Sequence, residues 1–372
     1  MPSSSPSSAP SAVPSAEQFR TAVAERLAEL LRSHRARAEQ IHPEAAAVVD
    51  AISRLTAGGK RLRSTLGWIG WRAAGGADDD PRIVTAGAAF ELFQAAALIH
   101  DDILDRSDTR RGMPAVHRAF EALHRCAGWR HDPEHFGVSA AILAGDVCLS
   151  LADAAFHDAF AQSPRPARAR EEMETMRFEV MLGQYLDVLA EMAPPAEETA
   201  AAAARAETVV EYKSARYSAV HPMALGALLA GGDDGLVASF ESVTLPFGLA
   251  FQYQDDLLGV LGDPDLTGKP AGDDLREGKR TVLIAHARDL LPAQDAAALE
   301  DELGRADLSE ERVAHWQAAL QDCGAAERVR AEIDALVARA QEASTHLVAA
   351  GAEEAAVADL RDLMDSLLHR TA

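Results

Sequence analysis

The chain has 372 residues, 48% of them apolar, and carries a formal charge of −22. That size allows one large domain or two modest ones. The acidity argues against nucleic acid as a partner, because such binders carry a basic face. Cys126, Cys148 and Cys323 are few, odd in number and widely spaced, which suits a reducing, cytoplasmic setting without a disulfide framework.

Residues 1–15 form a Ser/Pro/Ala tract and read as a disordered tail, with 16–372 as one domain. The tract has neither a basic start nor an apolar core, so it is not a secretory signal. Helical periodicity dominates the rest. Helices are expected near 16–40, 44–56, 61–74, 82–106, 115–125, 138–162, 168–192, 199–230, 236–261, 279–291, 296–302, 309–322, 325–349 and 353–369. Gly and Pro clusters separate them, and no strand-like alternation or internal repeat stands out. The fold class is therefore all-α. No run of about 18 apolar residues suggests a membrane span. Residues 126–137 read as a loop insertion, with His131 and His135 as solvated loop histidines rather than metal ligands.

Two acidic clusters interrupt apolar helices. Asp101, Asp102 and Asp105 form an Asp-Asp-x-x-Asp motif. On a helix, positions 101, 102, 105 and 108 fall at roughly 0°, 100°, 40° and 340°, so four carboxylates share a face. Such crowding requires a compensating cation. Mg²⁺ suits it, since Mg²⁺ takes carboxylates together with substrate phosphates. Arg110 and Arg111 follow, and paired guanidiniums bind phosphate oxygens in fork geometry. The second cluster, Asp255-Asp256, lies in the stretch Phe247 to Gly259 with Gln252 one turn earlier.

The lysines sharpen the reading. There are four, Lys60, Lys213, Lys269 and Lys279, against 32 arginines, and the chain has no Asn. Each lysine sits among Gly, Asp, Arg or hydroxyl residues. A chain that avoids Lys keeps it where a compact ammonium does what the planar guanidinium does not.

Taken together, GGKRLR (58–63), HDDILDRSDTRRG (100–112), GQYLD (183–187), KSARY (213–217), QYQDDLLG (252–259) and TGKPAGDDLREGKR (267–280) resemble the trans-isoprenyl diphosphate synthases, the polyprenyl synthetase family. The match follows family order over most of the chain. The resemblance implies the all-α isoprenoid synthase fold of long helices around a deep cavity, usually as a homodimer. It also implies Mg²⁺-dependent condensation of isopentenyl diphosphate with an allylic diphosphate. Asp101, Asp102 and Asp105 then correspond to ligands of two Mg²⁺ ions, and Asp255 to a ligand of a third. Asp256, Asp274 and Gln252 support it. Arg110, Lys213, Lys269 and Lys279 resemble contacts to the allylic diphosphate. Lys60, Arg63, Gln94 and Arg111 resemble the isopentenyl diphosphate site, Ser214 holds the reacting carbons, and Gln184 and Asp187 face the cation.

Gly259 departs from the pattern, standing where a third Asp is often found. The positions that set product length in the family are Ala96 and Ala97 here, with Phe93 one turn deeper as a candidate floor. That favours a twenty-carbon product, with farnesyl or longer products as alternatives. A class I terpene cyclase shares the first motif but carries a second one beginning with Asn, which this chain lacks. A regulatory subunit usually loses the first Asp cluster, which is intact here.

Overall fold

The computed structural model describes residues 15–193, 199–262 and 272–368. It is all-α among the described residues, apart from a two-residue hairpin, β1 (Thr109–Arg110) against β2 (Met113–Pro114). The expected tail at 1–14 and Lys269 lie outside the described residues. Ser15 belongs to the first helix, not to the tail. Its hydroxyl accepts from Gln18 N and its own N–H donates to the Gln18 side chain, a reciprocal cap that starts α1 (Ala16–Ile41).

After a 3-10 turn at Pro43–Ala45 come α2 (Ala46–Thr56), α3 (Leu62–Ala73) and α4 (Pro81–Leu104). The last is the central helix. It is apolar on nearly every side, which marks a helix surrounded by others. The helices α5 (Val116–Ala127), α6 (Pro133–Phe160) and α7 (Pro166–Met192) follow. Phe90 of α4 and Phe156 of α6 are fully buried and meet edge to face with ring centres 5.0 Å apart. Burying each such ring stabilises the fold by roughly 1.5–3 kcal/mol.

The expected loop over 126–137 is mostly helix. Only 128–132 is non-helical, because Asp132 caps Pro133 and Glu134, its carboxylate accepting from Glu134 N at 3.0 Å. Both α4 and α6 are long and apolar enough to cross a membrane by length and composition alone, a test that a buried core helix also passes. In α4 the apolar window is 67% buried inside the protein, which accounts for its composition; in α6 it is 33%.

The expected helix 199–230 is three segments: α8 (Thr199–Val209), an 11-residue π-helical stretch (Val210–Val220) and α9 (His221–Ala230). Pro222 has no N–H to give the preceding turn, so the regular α ladder cannot run through this junction. The π stretch is held closely on both sides. A Cβ on Gly183 of α7 would lie 2.3 Å from Lys213 N, and one on Gly248 would lie 2.9 Å from Ala215 Cα. Two glycines thus admit two helix backbones against the segment that carries Lys213 and Ser214.

The chain continues through α10 (Asp234–Leu261), α11 (Asp273–Glu277), α12 (Val282–Leu290), α13 (Ala293–Glu302), α14 (Glu310–Asp322), α15 (Ala325–Ser344) and α16 (Glu354–Leu368). The larger core joins α1–α7, the end of the π stretch, α9, the start of α10 and α16. A smaller one joins α8, the end of α10 and α11–α15. The site lies where the two cores meet.

His221, the first residue of α9, is buried between two carboxylates. Its Nδ1 lies 2.7 Å from Glu172 and its Nε2 3.0 Å from Glu179, both on α7, and Arg168 pairs with Glu172 at 2.9 Å. Burial alone would lower the imidazole pKa, but Glu172 and Glu179 outweigh it and raise the pKa above 6.5. This contribution to stability is full below the unfolded pKa and is lost as pH rises through the folded one. His221→Gln should therefore destabilise the fold by about 3 kcal/mol. Thermal melts should show a larger loss at pH 6 than at pH 9; an equal loss at both would refute the charged bridge.

Candidate functional site

The two acidic clusters line one cavity of about 320 Å³. Asp101, Ala97, Leu98 and Gln94 come from α4, Asp255, Asp256 and Gln252 from α10, and Lys213, Ser214 and Tyr217 from the π stretch. Arg63, Arg110, Gln184, Asp187, Lys279, Arg280 and Thr281 complete the polar wall.

Within the first cluster the carboxylates divide. The Asp101 Oδ1 atom is buried with no hydrogen-bond partner, and Lys213 Nζ stands 3.4 Å away. Burial opposes its ionisation, but Lys213, Lys279 and Arg110 outweigh that and hold the Asp101 carboxyl below its ordinary range. Asp102 is turned instead to Arg110, whose Nε donates to it at 2.7 Å, and it is buried. Asp105 caps α4 and sits 3.5 Å from Lys279 Nζ; burial and then the Asp101 charge push its pKa up to about 6. Asp108 does not share this face, because the helix ends at Leu104. It is exposed and pairs with Arg118 at 2.7 Å.

The cations are engaged by carboxylates. Lys213 Nζ also contacts Asp187, tying the π stretch to α7. Burial opposes its charge, but Asp101 and Asp187 outweigh burial and raise its pKa. Lys279 lies 2.8 Å from Glu277, 3.5 Å from Asp105 and 3.8 Å from Asp274, so it links both clusters.

In the second cluster Gln252 Nε2 donates to Asp256 at 2.7 Å. Burial and then Asp274 push the Asp256 carboxyl up to about 7. Gly259 has a physical reason: a Cβ there would lie 2.0 Å from Asp274 Oδ2. The Asp274 carboxylate occupies the space a side chain at 259 would take. Further along α7, burial, Asp187 and Asp105 push Glu191 up to about 7.

Among the described residues, no three carboxylate, His or Cys side chains converge as a ready metal cage. The donor set fits magnesium all the same. Asp101 has a buried oxygen in want of a hydrogen bond, and burial and then a neighbouring carboxylate push Asp105 and Asp256 toward the neutral form. Magnesium takes one or two carboxylates and completes its shell with water and phosphate.

The residues expected at the second substrate lie nearby but differ in use. Arg63 Nη2 donates to Ser218 Oγ at 2.7 Å, and its guanidinium lies 4.2 Å over the Tyr217 ring. Tyr217 donates to Gln94 at 2.8 Å. Arg111 Nη1 donates to the carbonyls of Leu55 and Gly58, so it braces the glycine loop at 58–61 on which Lys60 is exposed. Phe93 is buried behind Tyr217, ring centres 5.4 Å apart, and does not line the cavity; Ala96 is buried beside it and Ala97 faces the cavity. Sequence reasoning missed Arg280, Thr281 and Tyr217. Arg280 and Tyr217 stood inside motifs already singled out, one residue after Lys279 and three after Ser214.

The profile named "Polyprenyl synthetase" matches residues 45–320. The chain is 35% identical over 250 residues to a geranylfarnesyl diphosphate synthase of Natronomonas pharaonis, covering 63% of this chain and 67% of the relative. A geranylfarnesyl diphosphate synthase of Aeropyrum pernix is 30% identical over 329 residues, 86% of this chain and 93% of the relative. The crystal structure of a geranylgeranyl pyrophosphate synthase of Corynebacterium glutamicum, complexed with isoprenyl diphosphate and magnesium, superposes with a TM-score of 0.89. It shares 37% identity and covers 96% of this chain and 100% of that one.

Gly259→Ala should drive the Asp274 carboxylate out of the cluster. Stability should fall by about 1–3 kcal/mol. A substituted protein that melts like the wild type would show that Asp274 yields freely.

Proposed function

The chain belongs to the polyprenyl synthetase family and is a trans-prenyltransferase; from that premise we propose that it condenses isopentenyl diphosphate with an allylic diphosphate to give geranylgeranyl diphosphate. The observation that carries the reading is one cavity lined by Asp101, Asp255 and Asp256 together with Lys213, Lys279 and Arg110.

Asp101, Asp105 and Asp255 would hold about three magnesium ions, with Asp102 orienting Arg110 and Asp256 held by Gln252. Bound there, magnesium supplies Lewis-acid stabilisation of a leaving diphosphate. Lys213, Lys279 and Arg110 add fixed positive charge around the same anion, and we assign Lys269 to it as well. The allylic C–O bond breaks and its electron pair leaves with the diphosphate. The isopentenyl double bond forms the new C–C bond, and a proton lost to the departing diphosphate restores a double bond. No histidine is needed. Ala97, Leu98 and Val180 give the reacting carbons apolar walls that limit capture by water. Arg63, Lys60 and Arg111 surround the isopentenyl diphosphate, Arg111 by bracing its loop. Ser214 and Gln94 face the reacting carbons.

On this reading product length depends on Ala97, which faces the cavity, and on Ala96 and Phe93 in the layer behind it. Phe93 backs the Tyr217 ring. The relatives named for a twenty-five-carbon product mark the alternative. Incubation with Mg²⁺, isopentenyl diphosphate and each allylic diphosphate in turn, followed by product sizing, tests the activity. A twenty-carbon product is expected, and no elongation with any starter would sink the proposal. Phe93→Ala should lengthen the product by at least one five-carbon unit; unchanged length rules out Phe93 as the floor.

We also propose a homodimer. Leu143 of α6 and Phe178, Leu182, Tyr185 and Met192 of α7 are large apolar side chains 45–73% exposed. A second copy of the chain would cover them, since soluble monomers rarely leave large apolar patches open. Sedimentation should give a dimer for the wild type and a monomer for Phe178→Glu combined with Leu143→Glu. A monomeric wild type would contradict this.

A further inference from the structure

Arg280 is the one cavity-lining guanidinium that the reading above leaves without a role. Its Nη1 is paired with Glu300 of α13. Its Nε is buried and has no hydrogen-bond partner. A buried donor left unpaired costs about 1–3 kcal/mol, so the pairing with Glu300 leaves the guanidinium under-satisfied. Arg280 forms part of the wall of the main cavity beside Lys279 and Thr281. It also lines a small second cavity with Arg205, Arg288 and Thr281. It therefore stands in the partition between the two.

Glu300 is arranged to anchor rather than to neutralise. Its Oε1 lies 2.9 Å from Arg288 Nε, so one carboxylate serves two guanidiniums. Lys279 next door is surrounded by three carboxylates, whereas Arg280 has one, shared. A guanidinium presents five donors in a fixed fork, so it can hold Glu300 through one nitrogen and serve a second anion through another. The anion that belongs in this cavity carries diphosphate oxygens, which match that fork.

We infer that Arg280 is a further diphosphate-binding residue, aimed by Glu300 and Arg288, that donates to the allylic diphosphate from the part of its guanidinium that faces the cavity. The inference rests on the prenyltransferase reading of the cavity. Glu300 is then a positioning residue, acting only through Arg280.

The test compares Arg280→Gln, Arg280→Lys and Glu300→Gln with the wild type. The readouts are KM for each substrate, calorimetric Kd for inorganic diphosphate with Mg²⁺, and Tm. Arg280→Gln should raise both the allylic KM and the diphosphate Kd about tenfold or more, the effect of losing one charge-assisted hydrogen bond. KM for isopentenyl diphosphate should not move. Arg280→Lys should recover only part of the loss, because the ammonium keeps charge without the fork. Glu300→Gln should lower Tm but shift the diphosphate Kd less than Arg280→Gln. If Arg280→Gln and Glu300→Gln lower Tm alike and leave Kd and KM unchanged, Arg280 is a structural strut and the inference fails. If the wild type itself does not elongate, the underlying activity fails instead.

Discussion

Buried negative charge is the constraint on which this structure depends. Asp101, Asp105, Asp187, Asp256, Asp274 and Glu277 crowd around one cavity, and the protein supplies few cations to face them. Lys213 does the most. Its ammonium sits between Asp101 of α4 and Asp187 of α7 and ties both to the π stretch that carries it. Ion pairs this buried stabilise little net, but removing one partner leaves an uncompensated charge. The pairing therefore sets where α4, α7 and the π stretch meet more than it adds to overall stability.

Arginine and lysine divide the work. Arg61 is buried against Glu91 at 3.3 Å, Arg110 grips Asp102, and Arg111 braces the glycine loop by its carbonyls. These are fork-shaped contacts that fix backbone and side-chain positions. Lys213 and Lys279 instead stand as compact charges among carboxylates that a bound metal and diphosphate would engage. An ammonium can exchange a carboxylate for a phosphate oxygen with little geometric demand. The sparing use of lysine follows from that division.

Much of this was legible in the sequence. Asp101, Lys213 and Lys279 were marked by local contrast, charge among apolar residues and lysine in an arginine-rich chain. The long helices followed from their periodicity. What escaped had physical causes. Asp108 falls on the right helical angle, but α4 ends four residues earlier, and angle alone carries no termination signal. Asp102 lies off the cavity face, and only the fold shows that Arg110 comes back to meet it. The π stretch depends on Pro222 and on close approaches by Gly183 and Gly248, which come from other helices. The start of α6 is readable in the sequence, since Asp132-Pro133-Glu134 is a capping signature. Gly259 reads in the sequence as a lost ligand, whereas its missing side chain makes room for Asp274, fifteen positions later.

We propose that the carboxylates held by Lys213 and Lys279 engage magnesium only when a diphosphate is present to take those lysines. Calorimetric titration of Mg²⁺ into the protein, with and without inorganic diphosphate, tests it directly. The account predicts weak Mg²⁺ binding alone and strong binding with diphosphate, lost in Asp101→Asn. Equal Mg²⁺ affinity in both titrations, or diphosphate binding that ignores Mg²⁺, would contradict it.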